Sequence, residues 1–327
     1  MTAIVFIFIV YCVLLMWLFD FHESEIDNSR NANTLNKPPI IIVKDINNIN
    51  LLLNTLDSIK DSDFSEQIEL LLINDTDADL EEILEFYKSI FSQIAIINKR
   101  RFNDLDDEIS KSISKYVLSI NCGMILSDRM IKKISLYIEE YNFSIIFLPV
   151  YSNYNNKKYI FHQLFSSFWQ ACKCSLINKN LYTYNDIENN VALIEKKLFI
   201  ELSDNFNKNK ISQKFIMDSD LLIHDNNRKV YLDINYFLAL YIGLNLLYFV
   251  VIAQFLASPS LLYLVIIIIK IFPEFYYMYA YYNRLRIKFP KAEFLAYSFF
   301  VPIYLTMISI SNWKLDRIKF YNREIFR

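Results

Sequence analysis

Glycine is almost missing from this chain: two in 327 residues, where an ordinary globular composition of about 7% would supply roughly 23. With only Gly123 and Gly243, no G-x-G-x-x-G fingerprint and no G-x-x-x-x-G-K-[ST] loop can be written. A Rossmann dinucleotide site and a P-loop are therefore excluded, since both bring Cβ-free backbone against a phosphate. Charge of either sign is also scarce in excess, with a formal net of −2, which argues against a nucleic-acid binder. Histidine occurs only at 22, 162 and 224, and cysteine only at 12, 122, 172 and 174. Cys172-Lys173-Cys174 lacks the two further ligands of a structural zinc site, so the thiols read as reduced and partly buried.

What is abundant is apolar. Hydrophobic residues make up 54% and aromatics 16%, yet 21% are charged, and mean hydropathy is +0.20. A soluble domain joined to membrane segments satisfies both numbers. Residues 3–19 are uninterrupted apolar sequence with no preceding Lys or Arg, which favours an uncleaved anchor over a signal peptide. Residues 236–257 and 260–282 are each long enough to span. The second carries Lys270 and Glu274, four apart on one helix face, which suits a self-neutralising pair or one turned toward protein. Residues 293–312, broken by Pro302, lie between two basic segments (Arg284 to Lys291, and Lys314 to Arg327). The positive-inside rule places both in the cytoplasm, so this stretch is expected at the interface or re-entrant. The N-terminus is then outside.

This divides the chain into an anchor (1–19), a polar tether (20–37), a middle domain (38–232) expected in the cytoplasm, and C-terminal membrane and interfacial helices with a basic tail (233–327). In the middle domain, apolar runs at 39–43, 68–73, 94–97, 116–120 and 143–149 alternate with helical spacing at 48–60, 79–92, 104–115 and 128–139. Alternation of this kind predicts an α/β domain with a mostly parallel sheet flanked by helices. Its ligands belong at the carboxyl ends of the strands. Those ends carry Lys44-Asp45-Ile46-Asn47-Asn48, then Asn74-Asp75-Thr76-Asp77-Ala78-Asp79, then Asn121-Cys122-Gly123. Met217-Asp218-Ser219-Asp220-Leu221-Leu222 follows, opening an expected helical run. Taken alone, the Asp75–Asp79 cluster could equally cap a helix.

In order and spacing these segments resemble the family 2 glycosyltransferases with a GT-A domain, in the membrane-anchored bacterial branch. The resemblance covers nearly the whole chain. Asp75 and Asp79 match the acids of D-D-G-S-x-D, which receives the nucleobase and ribose. Asn121 and Gly123 stand where the family has the two carboxylates of D-x-D, and Asn47-Asn48 stand for its Asn-Glu. Asn190-Val191-Ala192 with Lys196 and Phe199 resembles the acceptor-side segment. Asp218 and Asp220 flank Ser219, which in the plainest register takes the place of the catalytic base; the Q-x-x-R-W segment is absent.

The resemblance implies an inverting transfer of a sugar from a nucleotide-sugar to a lipid-linked or polysaccharide acceptor at the cytoplasmic membrane. Asn47, Asp75, Asp79 and Asn121 would bind the nucleotide, and Asp218 or Asp220 would act as base. Mg²⁺ or Mn²⁺ would accompany the nucleotide-sugar, although this sequence offers no assigned metal ligand and no nucleic-acid partner is expected. The alternative is a catalytically inactive membrane scaffold of the same fold.

Overall fold

A computed structural model describes residues 2–18, 38–46, 48–62, 65–74, 80–98, 103–140, 143–152, 160–179, 191–201, 212–225 and 236–305. The apolar N-terminal run is one helix, α1 (Thr2–Leu18). The middle of the chain then alternates as its periodicity predicts. It runs β1 (Ile40–Lys44), α2 (Ile49–Lys60), β2 (Glu69–Asn74), α3 (Glu81–Glu85), β3 (Gln93–Asn98), α4 (Asn103–Lys111), β4 (Tyr116–Asn121), β5 (Met124–Ile125) and α5 (Met130–Glu140). There follow β6 (Ile145–Phe147), β7 (Val150–Ser152), α6 (Ile160–Asn178), β8 (Ala192–Glu195), α7 (Lys196–Glu201), β9 (Gln213–Phe215) and β10 (Ile223–Asp225). The described part closes with α8 (Tyr236–Ala257), α9 (Leu261–Arg284) and a helix over residues 291–305, here α10.

The seven-stranded sheet has the order β3-β2-β1-β4-β8-β6-β9. It is mostly parallel, with β8 antiparallel to both of its neighbours. Strands β1, β2 and β4 are apolar on both sides because both faces are covered. Ile41, Val43, Leu70, Leu72, Leu118 and Ile120 meet Leu52, Leu56 and Ile59 of α2 and Ile131 and Ile134 of α5. On the opposite face Ile40, Ile42, Leu71, Ile73 and Val117 meet Leu105 and Ile109 of α4.

Two expectations need correcting. The run 143–149 holds a shorter strand than expected: β6 covers only Ile145–Phe147 in the large sheet, and Pro149 separates it from β7, which lies beyond the run in a second sheet, β5-β10-β7. Proline has no N–H for the ladder, but its carbonyl still accepts from Ile223 N at 3.0 Å, so the break becomes a crossing point between the sheets. The run after Met217 is not a helix. A single 3-10 turn, Ser219–Leu221, leads directly into β10. Leu221-Leu222-Ile223 is an apolar run too short for periodicity to separate strand from helix.

The apolar helices assemble against α6 and the β6–β8–β9 edge of the sheet. Phe8, Tyr11, Leu15 and Leu18 of α1, at helical spacing, face this core. Pro273 inside α9 cannot donate to Ile269 O, four residues back. The Cys12 thiol donates to that carbonyl instead, at 3.0 Å. Lys270 Nζ is 2.8 Å from Glu274 Oε2, both side chains 2% exposed, and Lys270 lies over the Tyr248 ring of α8. Further along α9, Tyr277 and Tyr282 bond Ser175 and Ser167 of α6, tying the helix bundle to the α/β part. Helix α10 returns onto α6, where His162 Nδ1 and Tyr304 OH are 2.8 Å apart. Among the described residues one helix, α9, is long and apolar enough to cross a membrane by length and composition; Ile4–Leu18 and Tyr241–Ala257 are shorter apolar helices.

Candidate functional site

Chain order places β2 and β3 on one side of β1 and β4 on the other. The gap between the carboxyl ends of β1 and β4 is therefore the topological switch point of an open parallel sheet, where such sheets hold ligands. The two strands end together, Lys44 paired in register with Asn121. Side-chain alternation puts both on the same face, in line with Ile42 and Ser119. Asn74 ends β2 beside Asn98 of β3, on the opposite face, and is buried.

The turn after β4 is fixed by its neighbours. Cys122 N–H donates to Lys44 O at 2.8 Å. Gly123 N–H donates to Thr55 Oγ1 at 2.9 Å, and Leu126 N–H to Ser58 Oγ at 3.2 Å. Thr55 and Ser58 lie on α2, whose first turn is capped by the Asn48 side chain accepting from Asn50 N and Leu51 N. Asn48, matched above to an acidic motif position, is thus a helix cap. Gly123 has φ 93°, a conformation that side-chain-bearing residues rarely adopt. Here one of the chain's two glycines is required by geometry.

Asn121 is 6% exposed, and its Oδ1 has no hydrogen-bond partner among the described residues. A buried acceptor left unpaired costs about 1–3 kcal/mol, so it marks a place for a ligand or water. A divalent cation is a poor candidate. The groups at the two matched positions and their neighbours are an amide, a thiol, a hydrogen and a thioether (Asn121, Cys122, Gly123, Met124), whereas Mg²⁺ and Mn²⁺ select charged oxygen ligands. Asp225 is opposite Met124 in the β5–β10 pair, but it is a single carboxylate. Among the described residues no group of three His, Cys, Asp or Glu side chains could hold a metal. The described residues at these two positions do not fit the ion.

Asp218 and Asp220 sit on the 3-10 turn before β10. Asp218 Oδ1 accepts from Asp220 N at 2.9 Å. Its Oδ2 accepts from Tyr137 OH at 3.0 Å and lies 3.3 Å from Lys133 Nζ. Both oxygens are engaged, and the side chain is 16% exposed against 36% for Asp220. Asp220 is 3.8 Å from the same ammonium, and its carbonyl accepts from Ser127 Oγ at 2.5 Å. That bond and the β5–β10 ladder join the turn to the segment following Gly123. The structure therefore brings Lys44 and Asn121 together and ties Asp218 and Asp220 to the adjoining loop. Asn47, Asp75 and Asp79 lie outside the described residues. Lys196, matched to an acceptor-side cation, donates to Ser112 O at 2.8 Å, just beyond the end of α4.

Sequence reasoning placed Lys44 at a strand end without giving it a role, and passed over Thr55, Ser58, Lys133 and Tyr137. Lys133 was findable: it interrupts the Met130, Ile131, Ile134, Tyr137 face of α5, where a cation needs a buried acid. Lys44 was findable as the polar end of an otherwise apolar strand. Thr55 and Ser58 carried no signal of their own, because serine and threonine spaced along a helix are common.

No family profile matches the chain, and no curated protein matches it. Solved structures align with it. S. aureus TarS 1–349 does so at 11% identity and TM-score 0.40, over 79% of this chain and 77% of that one. The same protein in complex with UDP-GlcNAc aligns at 11% identity and TM-score 0.40, over 82% and 81%. The mannosyltransferase PcManGT from Pyrobaculum calidifontis, in complex with GDP-Man and Mn²⁺, aligns at 10% identity and TM-score 0.43, over 99% and 96%. Identities and scores at this level do not carry an activity across.

Proposed function

We propose that this chain is a membrane-associated glycosyltransferase that moves a sugar, with inversion, from a nucleotide-sugar to a lipid-linked or polysaccharide acceptor. The observation carrying this reading is the paired ending of β1 and β4 at Lys44 and Asn121, at the switch point of a mostly parallel sheet. The segments that resemble nucleotide motifs follow β1, β2 and β4, and the segment that resembles the base motif forms the 3-10 turn. Asp75 and Asp79 would receive the nucleoside and Asn47 would line the β1 side. Of the two acids on the turn, Asp220 is the better base, because both Asp218 oxygens are engaged. A base must be free to accept the acceptor hydroxyl's proton as it attacks the anomeric carbon.

The apolar side chains left outside on α1 (Phe6, Val13, Met16), α8 (Phe249, Val250) and α9 (Ile268, Phe272) suit a lipid surround. With Arg284 ending α9 and Arg286 and Lys288 following it, they support the orientation with the α/β part in the cytoplasm. A non-catalytic scaffold is favoured by the full engagement of Asp218 and by Asn121 and Gly123 in place of two carboxylates.

Calorimetry on the full chain in detergent, with UDP, GDP and their sugars, tests the reading. Binding of one nucleotide family, weakened by about 1–3 kcal/mol in Asp75→Ala, is expected. Failure of all of them to bind, with and without Mn²⁺, overturns it.

A further inference from the structure

The exposed residues of α9 fall on one line. Leu261, Val265, Ile268, Phe272, Tyr276 and Tyr279 are all exposed, and they recur at steps of three and four, so they form a single stripe along the helix. Asn283 and Arg286, both exposed, continue the same steps past the helix end. The other side is buried and takes Lys270 and Glu274 with it. From Leu261 to Tyr279 the helix rises about 27 Å, close to the thickness of a bilayer's hydrocarbon core. The stripe is thus ordered by depth: aliphatic and phenyl groups for acyl chains, two tyrosines at the level of the interface, then polar and cationic groups at the level of the headgroups.

The turn beyond α9 holds its cations outward. Leu285 N–H donates to Tyr281 O at 3.2 Å and Ile287 N–H to Tyr282 O at 2.9 Å, closing the helix end. Leu285 and Phe289 are buried, while Arg286 and Lys288 alternate with them and are exposed. Neither of these two side chains has a hydrogen-bond or ion-pair partner among the described residues. Lys291 Nζ is 5.6 Å from the centroid of the Tyr279 ring, which brings a third cation to the tyrosine end of the stripe. No Asp or Glu occurs between Glu274 and Glu293. Arg286 has φ 55°, in the left-handed position that helix ends usually give to glycine or asparagine. An arginine is disfavoured there, and no ion pair of its side chain offsets this. Membrane orientation alone needs positive charge somewhere in the link. It does not need it at alternate positions of a fixed turn, in line with an aromatic and apolar stripe.

We infer that the turn Leu285–Lys291 binds the headgroup of an anionic phospholipid, with Arg286 and Lys288 meeting the phosphate and the acyl chains lying along the Val265–Tyr279 stripe. Arginine suits phosphate oxygens as a fork of N–H donors, and lysine as a point charge. This rests on the membrane-associated reading above and deepens it by naming the lipid class and its site.

The test uses the full chain, reconstituted in POPC vesicles and followed by flotation, and titrated in mild detergent with POPG or POPC under native mass spectrometry. POPG should bind about tenfold or more tighter than POPC, since each cation near an anionic headgroup counts for about fivefold. The double change Arg286→Gln with Lys288→Gln should bring the two lipids within about threefold of each other. Arg286→Gly relieves the disfavoured conformation and removes one charge. It should melt at or above the wild type in lipid-free detergent, yet bind POPG about fivefold more weakly; a merely structural role would move both readings the same way. Glycerophosphoglycerol, the headgroup without acyl chains, should not displace POPG. Equal affinity for POPG and POPC, POPG binding unchanged in the folded double variant, or displacement by the soluble headgroup overturns the lipid site while flotation leaves the membrane reading standing. Failure to float with POPC vesicles overturns the membrane reading itself.

Discussion

Tyr11 and Glu274 are 263 residues apart and joined by a hydrogen bond of 2.6 Å, the Tyr11 hydroxyl donating to Glu274 Oε1. Glu274 gives its other oxygen to Lys270, so one carboxylate closes a buried triad between the first helix and one of the last. Neither charge of this pair can be removed alone without stranding the other.

The triad predicts a non-additive pattern of stabilities. Lys270→Ala should destabilise the full chain in detergent by about 3–5 kcal/mol, because Glu274 is left buried and unpaired. The double change Lys270→Met with Glu274→Leu should cost far less, within about 1–2 kcal/mol, since apolar replacement of a whole buried pair is often neutral. Tyr11→Phe should cost about 1.5–3 kcal/mol, the range for a hydrogen bond to a charged group. Thermal unfolding of the three variants checks this. A double variant as unstable as the single one would show that the pair is not self-compensating.

Asp218 and Asp220 should separate structure from chemistry. Asp218→Asn weakens the Lys133 contact and leaves that cation, 7% exposed, without a full countercharge, so it should lower the unfolding midpoint clearly. Asp220→Asn keeps the backbone bonds of the turn and should shift stability by no more than about 0.5 kcal/mol. If Asp220 is the base, the same change should reduce sugar transfer by about 10²- to 10⁴-fold. Transfer rates and melting curves on both variants decide the assignment; full turnover in Asp220→Asn removes it from the mechanism.

The alternation of apolar runs with helical spacing was legible because β1, β2 and β4 are buried on both faces, while α2, α4 and α5 present an apolar face to them. The short elements were not. Strands of two or three residues, β5, β7 and β10, carry no periodicity, and the second sheet they form is invisible until Pro149 is seen as a crossing point. The spacing of Lys270 and Glu274 pointed to a paired charge, and the pair is there. Its third member, Tyr11, could not be foreseen, because nothing local links two residues on helices at opposite ends of the chain. In the candidate site, motif matching pointed to Asn121, Asp218 and Asp220 but gave no role to Lys44, whose pairing with Asn121 comes only from the register.

The helices' orientation gives a further outcome. The link between α8 and α9 has no positive charge, while Arg284 ends α9 and Arg286, Lys288 and Lys291 follow it. By the positive-inside rule a cysteine at Ser258 should react with an impermeant maleimide in intact cells, and one at Lys288 only after permeabilisation. The reverse pattern would place the α/β part, with Lys44 and Asn121, outside the cytoplasm and away from nucleotide-sugars.

Acid should loosen the contact between α6 and α10. Burial pushes His162 down from 6.5 to about 4, and burial lowers His224 as well. Both are therefore held neutral in the folded chain, and the unfolded chain takes up their protons first as pH falls. Stability from this source is fully present above pH 6.5 and is lost progressively toward pH 4. His162 meets Tyr304 of α10 at 2.8 Å, so the loss should register there before it reaches the sheet. Amide exchange over residues 291–305 should speed up between pH 6.5 and 5, after correction for intrinsic rates, in the wild type and not in His162→Gln. Carboxylates titrate mostly below that window, which keeps the effect assignable to histidine. Equal acceleration in the variant would mean that α10 is held by its apolar face alone, through Phe294, Tyr297 and Val301.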